Sequence, residues 1–257
     1  MATKVTLSAI GSIIGAVFAL GLNTPSYAEP LESVQWNNML ASCNSKSGDA
    51  QSFCVRNELA HFTNASLRSI TYGGARNALL QKIDRYIDQD GVECVDSVYS
   101  IDVHCRGTQP HDEKTFNVEH TWPQSKLKKY SRFAQTKADL FHLFPTETRI
   151  NSMRGNLPFS DCNDNSSKQN TRVSAFCNGG FQPPAIHRGM VARAMFYMAV
   201  NYGMEIDATQ EAVLRKWNKE FPVTNRERER DNLVNEYQGN HNPFIAHPEW
   251  TDLINNF

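Results

Sequence analysis

The spacing of apolar side chains predicts a mostly helical last third of the chain. From Pro184 to Tyr202, apolar residues recur on nearly every turn, which predicts a central buried helix. Ala208 to Asn218 has the pattern of a second helix. Thr224 and Glu227 have the spacing of a capping box, so a third helix is expected to begin there and to end at about Tyr237.

Earlier segments mix helical and strand-like patterns. Gly74 to Gln89 is amphipathic at helical spacing and is predicted to be a helix. Cys94 to Cys105, rich in Val, Tyr and Ile, predicts a β-hairpin, and Phe116 to His120 predicts a strand. Pro145 to about Met153 has the pattern of a short helix, with Pro in its first turn and Gly155 just past its end.

Two stretches are mainly polar. Glu29 to Ser69 carries one helical pattern, at Trp36, Met39 and Leu40. Ser160 to Gly180 is dense in Asn, Asp and Ser and is expected to be a loop. The sequence shows no internal repeat and no long linker. We therefore predict a single α+β domain, mostly helical, with a small antiparallel sheet.

The first residues have the layout of a secretory signal peptide. Met1 to Lys4 is a short positive region, Val5 to Leu22 is apolar, and Ser26-Tyr27-Ala28 supplies small residues before an expected cleavage after Ala28. A membrane anchor is the alternative, but three glycines interrupt the apolar run. We expect a signal peptide at 1–28, a domain at 29–257, no membrane association, and a periplasmic or secreted location.

All six cysteines lie after Ala28. An even number in an exported chain favours disulfides, and sequence neighbours close the shortest loops. The pairs expected on that ground are Cys43–Cys54, Cys94–Cys105 and Cys162–Cys177. A zinc site is the alternative, although the sequence contains no Cys-x-x-Cys pair.

Net charge does not favour nucleic-acid binding. Removing 1–28 leaves 229 residues and, with Lys4 gone, changes the formal charge from −1 to −2. Any affinity for phosphate must then come from local basic clusters.

One short segment places a carboxylate beside an imidazole: Asn117-Val118-Glu119-His120-Thr121-Trp122-Pro123-Gln124-Ser125. The segment resembles the signature of the bacterial endonuclease I family of periplasmic and secreted nucleases. Further blocks resemble the same family in the same order, and together they cover most of residues 70 to 250. These blocks are Arg188 to Met198, Trp217 to Thr224, Glu229 to Asp231, and Gln238 to Phe244.

The resemblance implies a ββα-metal finger and a division of roles. Glu119 and Asn151 would bind one Mg²⁺, with Ca²⁺ or Mn²⁺ as replacement ions, and His120 would be the general base that activates water. Asn156 is the alternative to Asn151. The implied reaction is sequence-nonspecific hydrolysis of DNA and RNA to 5′-phosphate products by a monomer.

Phosphate contacts are less well defined by the resemblance. In some relatives an arginine between the two halves of the finger contacts the scissile phosphate, but that connection is shorter here. Candidate cations are Lys126, Lys128, Lys129 and Arg132. Arg154 is expected either to bind phosphate or to pair with an acidic neighbour.

The chain departs from the family at two further positions. Val118 stands where many members carry arginine, and His142 lies one position later than the family's histidine. The role of His142 is left open by the sequence.

Two other functions fit parts of the sequence. One is a non-catalytic extracellular protein that binds nucleic acid. The other is a zinc-dependent hydrolase using the eight histidines, although the sequence has no His-Glu-x-x-His pattern.

Overall fold

Helices dominate the part of the chain that the computed structural model describes, which comprises residues 36, 38–100, 103–105, 115–162 and 174–257. The long helices are α1, Gly48–Ala65; α6, Ala185–Tyr202; α7, Ala208–Glu220; and α8, Asn225–Gln238. The short ones are α2, Tyr72–Ala78; α3, Gln124–Leu127; α4, Phe133–Ala138; α5, Thr148–Arg154; and α9, Pro243–Ala246. A π-helical turn, Leu79–Ile83, continues α2, and 3₁₀ turns cover Leu140–His142 and Pro248–Leu253.

The strands form small antiparallel sheets. β1, Arg85–Ile87, β2, Glu93–Asp96, and β3, Val103–Cys105, make a three-stranded sheet. β4, Phe116–His120, pairs with β5, Leu143–Glu147, and β6, Ala175–Cys177, pairs with β7, Gly180–Gln182. The α+β prediction with a small antiparallel component is confirmed.

Helix α6 forms the centre of the core. Every residue from Val191 to Asn201 is buried, as expected for a helix that is apolar on all sides. Pro184 precedes it, and Gly203 ends it in the left-handed conformation. Helices α1, α7 and α9 pack against it, which confirms the predicted central helix.

Strands β4 and β5 are followed directly by α5, so the three elements form a ββα unit. The register pairs Val118 with Pro145 and His120 with Leu143. Gly155 ends α5 at φ 53°, as the sequence predicted. Helix α5 packs on both strands, which fixes the geometry of the site described below.

The structure confirms all three predicted disulfides, Cys43–Cys54, Cys94–Cys105 and Cys162–Cys177. The Cys94–Cys105 bridge joins directly paired residues of β2 and β3 and thereby confirms the predicted hairpin. The cysteines are therefore not zinc ligands.

Several predicted bounds are wrong. The helix expected over Gly74–Gln89 gives way to β1, because Arg85 to Ile87 pair with β2. The helix expected from Pro145 begins only at Thr148, because Pro145 belongs to β5, where its carbonyl accepts a hydrogen bond from Val98 at 2.8 Å.

Several elements were not predicted, among them one long helix and one hairpin. Helix α1 occupies part of the stretch from Glu29 to Ser69, and the β6–β7 hairpin lies at the end of the expected loop from Ser160 to Gly180. Residues 163–173 of that loop lie outside the described residues.

The expected signal peptide at 1–28 also lies outside the described residues, so it stays a prediction. In the part that is described, no helix combines the length and apolar character needed to cross a bilayer.

Candidate active site

The side chains of β4 alternate between two faces of the strand. Asn117 and Glu119 share one face, and Val118 and His120 share the other, because neighbouring residues in a strand point in opposite directions. Glu119 and His120 are both buried. The dipeptide thus places a carboxylate and an imidazole on opposite sides of one strand.

Tyr99 and Arg154 donate hydrogen bonds to the carboxylate of Glu119. The hydroxyl of Tyr99 donates to Glu119 Oε1 at 2.6 Å, and Arg154 Nη1 donates to the same oxygen at 2.8 Å. Burial raises the pKa of Glu119, whereas Arg154, Tyr99 and the backbone of His120 lower it. Glu119 is 2% exposed and Arg154 is 1% exposed, so their ion pair lies inside the protein.

Arg154 also binds the backbone of β4 and its continuation. Its Nη1 donates to the carbonyl of His120 at 3.1 Å, and its Nη2 donates to the carbonyl of Thr121 at 2.9 Å. Its guanidinium lies over the ring of Phe159, 4.7 Å from the centroid. Of the two roles expected for Arg154, the structure shows pairing with an acidic neighbour.

Asn151 lies on the same face of α5 as Arg154, because residues three apart are neighbours on a helix. Its Nδ2 donates to Asn117 Oδ1 at 2.8 Å and to the carbonyl of Val118 at 3.3 Å. Because Asn117 and Glu119 share a face of β4, the side chain of Asn151 lies on the Glu119 side of the strand. Asn156 follows Gly155 at an exposed position after the helix.

Glu119 and Asn151 suit a hard divalent cation. A carboxylate and an amide carbonyl are oxygen ligands, and Mg²⁺ needs only one or two of them from the protein because it keeps several waters. Since Asn151 uses its amide nitrogen to donate to β4, its carbonyl oxygen is the atom available as a ligand. A carboxylate offers about four lone-pair sites, so Glu119 retains acceptor capacity beside Tyr99 and Arg154.

The ring of His120 is oriented by a backbone carbonyl. Its Nε2 lies 3.1 Å from the carbonyl oxygen of Lys137. Because a carbonyl oxygen can only accept, Nε2 carries the proton and Nδ1 has the lone pair. Burial, followed by the neighbouring His142, lowers the pKa of His120 to about 3. The imidazole is therefore neutral at neutral pH, as a general base must be.

The ring of His142 is oriented in the same way, by the carbonyl one residue before Lys137 on helix α4. Its Nε2 lies 2.7 Å from the carbonyl of Thr136, and its ring lies edge-on to His120 with centroids 5.3 Å apart. Thr136 and Lys137 belong to the last turn of α4, where carbonyls have no partner within the helix. The two histidines supply those partners, which explains why the chain carries His142.

Tyr72 and Lys137 complete the surroundings of His120. The Tyr72 ring stacks on His120 with centroids 5.4 Å apart and an interplanar angle of 26°. The Nζ of Lys137 lies 4.5 Å from the centroid of Tyr72. The sequence predicted neither residue, nor Tyr99, since no local pattern marks them as neighbours of β4.

The other candidate cations lie in different surroundings. Lys126 and Lys129 line a cavity of about 370 Å³ together with Trp122, Arg154 and Glu205. Lys128 is exposed. Arg132 donates to Asn64 Oδ1 at 2.7 Å and to Gln135 Oε1 at 2.7 Å, and its guanidinium lies 4.8 Å from the ring centroid of Tyr202.

Comparison with known proteins links this geometry to one family. The family model described as Endonuclease I matches residues 52–249, a range that includes β4, β5 and α5. The match therefore covers the whole ββα unit and the side chains that surround it.

Relatives that are named as nucleases match the chain over part of its length. The extracellular ribonuclease of Bacillus subtilis (strain 168) is 36% identical over 162 residues, or 54% of this chain and 54% of that protein. An extracellular deoxyribonuclease of Aeromonas hydrophila is 35% identical over 130 residues, or 48% and 57%. A periplasmic deoxyribonuclease of the same organism is 33% identical over 120 residues, or 46% and 51%. The chain spans about half the length of these curated relatives.

Proposed function

The chain belongs to the Endonuclease I family, and on that premise we propose that it is an exported, metal-dependent endonuclease with little sequence preference. It hydrolyses phosphodiester bonds of DNA and RNA and leaves 5′-phosphate ends. The observation that carries the proposal is the orientation of His120, whose Nε2 is held by the Lys137 carbonyl, so that Nδ1 is the nitrogen with the lone pair. His120 follows Glu119 directly in strand β4 of the ββα unit.

His120 is the general base of the reaction. Its Nδ1 takes a proton from a water molecule as the water oxygen attacks phosphorus. The bond from phosphorus to the 3′ oxygen breaks, so the products carry a 5′-phosphate and, after protonation, a 3′-hydroxyl. The hydrogen bond from Nε2 to the Lys137 carbonyl keeps the ring in the tautomer that this step needs.

Glu119 and Asn151 hold the metal ion, for which Mg²⁺ is the expected species. When bound, the ion supplies positive charge to the phosphate and to the departing 3′ oxygen. Arg154 and Tyr99 fix the Glu119 carboxylate, and Arg154 favours its ionised form against the effect of burial. Arg154 and Tyr99 thereby position Glu119, the proposed metal ligand.

The relatives support both substrates and the location. One is named a ribonuclease and others are named deoxyribonucleases, which favours a site that does not depend on the sugar. Contacts to phosphate carry no sequence information, so little sequence preference is expected. Their names place them outside the cell or in the periplasm, in agreement with the expected signal peptide.

Cleavage of plasmid DNA and of RNA by the wild type and by His120→Ala tests the proposal. With Mg²⁺, the wild type should cleave both substrates, EDTA should stop cleavage, and His120→Ala should lower kcat by about 10²–10⁴-fold. His61→Ala, at an exposed position of α1, is the control and should keep full activity. Binding without cleavage by the wild type would instead support a nucleic-acid-binding protein. A folded His120→Ala variant with wild-type kcat would exclude the assigned base.

A further inference from the structure

We propose that Lys137 is the residue that contacts the phosphate undergoing cleavage, with Tyr72 as the support of its side chain. This inference rests on the proposed function, because it assigns a further role at the same site. It concerns a residue that the sequence did not single out.

Lys137 is linked to His120, the proposed general base, through its backbone and through its side chain. Its carbonyl accepts the hydrogen bond from His120 Nε2 at 3.1 Å. Its side chain turns to Tyr72, where Nζ lies 4.5 Å from the ring centroid. The Tyr72 ring stacks on His120 with centroids 5.4 Å apart, so one aromatic side chain contacts both the ammonium group and the imidazole.

The ammonium group of Lys137 belongs to the immediate surroundings of His120. Its positive charge lies over the Tyr72 ring, and that ring stacks on the imidazole of His120. A phosphate placed for attack by water at His120 Nδ1 would lie within the same field. An ammonium group can donate up to three hydrogen bonds to oxygens of such a phosphate, and positive charge there stabilises the transition state.

The other cations of the connection between β4 and α5 have different neighbours. Arg132 is held by Asn64 and Gln135, and Lys126 and Lys129 line the cavity with Glu205. Beyond that connection, Arg154 is held by Glu119 and two backbone carbonyls. Among the described cations of the connection, Lys137 is the one whose ammonium group rests on a ring stacked against His120.

Tyr72 keeps the ammonium group in place without neutralising it. A cation over an aromatic face is attracted by the ring, but its hydrogen-bond donors stay available for oxygen ligands. The ring also packs against His120. One side chain therefore orients the proposed phosphate contact and the general base relative to each other.

The test is steady-state kinetics of Lys137→Met, which keeps an apolar stem over Tyr72, and Lys137→Arg, which keeps the charge. With saturating plasmid DNA and Mg²⁺, Lys137→Met should lower kcat by about 10²-fold or more, since transition-state donors are typically worth that much. Lys137→Arg should recover a substantial part of the loss. Lys219→Ala is the matched control, because Lys219 is an exposed lysine in the last turn of α7, outside that connection, and it should leave kcat unchanged.

The outcomes separate the inference from the function on which it rests. A wild type that cleaves neither DNA nor RNA refutes the proposed function itself. An active wild type, with Lys137→Met folded and its kcat unchanged, refutes the role of Lys137 alone. The same holds if Lys137→Met raises only KM, since that result would make Lys137 one more contact to the polymer. A loss that Lys137→Arg does not relieve would also count against a charge contact.

Discussion

At the scale of single residues, the most constrained contact of the site is the ion pair between Glu119 and Arg154. Taking both charges out of water costs several kcal/mol per ion, and the pair repays that cost only through close geometry and further hydrogen bonds. Tyr99 supplies one such bond, and the carbonyls of His120 and Thr121 supply others. The site is therefore rigid on the side where the proposed metal ligand lies.

Arg154→Met should destabilise the fold strongly, because it leaves the Glu119 carboxylate buried without its cationic partner. We expect the free energy of unfolding to fall by about 3–5 kcal/mol. Urea denaturation in EDTA measures this loss.

The double variant Glu119→Gln with Arg154→Met is the control. It removes both charges, and the amide oxygen of the introduced glutamine can still accept from Tyr99, so the double variant should be more stable than Arg154→Met alone. Equal stabilities of the double and single variants would contradict a buried charge as the cause.

The sequence identified part of this site and not the rest. Glu119 and His120 were visible because they are adjacent in a distinctive segment. The pairing of Arg154 with Glu119 was one of two expectations, because a sequence does not show which acid an arginine reaches. Tyr99 and Lys137 were missed because their proximity to β4 is created by tertiary packing.

At the scale of elements, the end of helix α4 organises the site. The carbonyls of Thr136 and Lys137 accept from His142 and His120. The next residue after the helix, Asp139, accepts hydrogen bonds from the hydroxyls of Tyr197 at 2.8 Å and Tyr202 at 2.7 Å. The helix end that orients His120, the proposed general base, is thus anchored to α6, the centre of the core.

Element prediction failed where tertiary contacts outweigh local pattern. Helix α1 buries Ser52, Val55, Leu59 and Thr63, and only two of these are apolar, so its buried stripe is not visible as hydrophobic periodicity. Pro145 resembled the first residue of a helix, but its carbonyl and its pairing with Val118 place it in a strand. The long apolar pattern of α6 was predicted correctly because burial on all sides needs no further context.

Two helix-ending glycines allow a matched prediction. Gly203 and Gly239 have φ of 62° and 82°, so alanine is strained at both, at about 1–2 kcal/mol each. A Cβ at Gly203 would meet nothing within 4 Å, whereas one at Gly239 would lie 2.5 Å from the carbonyl oxygen of Ser66. Gly239→Ala should therefore lower the melting temperature clearly more than Gly203→Ala. Equal shifts would show that Gly239 does not lie against the Ser66 carbonyl as the structure has it.

At the scale of the whole molecule, several buried histidines make the fold sensitive to acid. Burial lowers the pKa of His120 and of His142 to about 3, and that of His187 to about 4. Each is neutral when folded at mild pH, whereas an unfolded histidine titrates near 6.5. Unfolding therefore takes up protons below about pH 6.5, and the free energy of unfolding should fall as the pH decreases from there.

His142→Gln isolates one of these contributions, because glutamine can donate to the Thr136 carbonyl but does not titrate. The folded pKa of His142 is depressed, so its contribution is present above about pH 6.5 and is lost as the pH falls toward about 3. The wild type should then lose up to about 1.4 kcal/mol more stability per pH unit than the variant. Urea denaturation in EDTA between about pH 7 and pH 4 measures the difference in stability between the wild type and the variant. Glu119 and Asp139 are present in both proteins, so their contributions cancel in that difference. His61→Gln, the same substitution at an exposed position, is the matched control variant. If His142→Gln runs parallel to the wild type, His142 is not buried in its neutral form, and the described packing of the two histidines against the end of α4 is wrong.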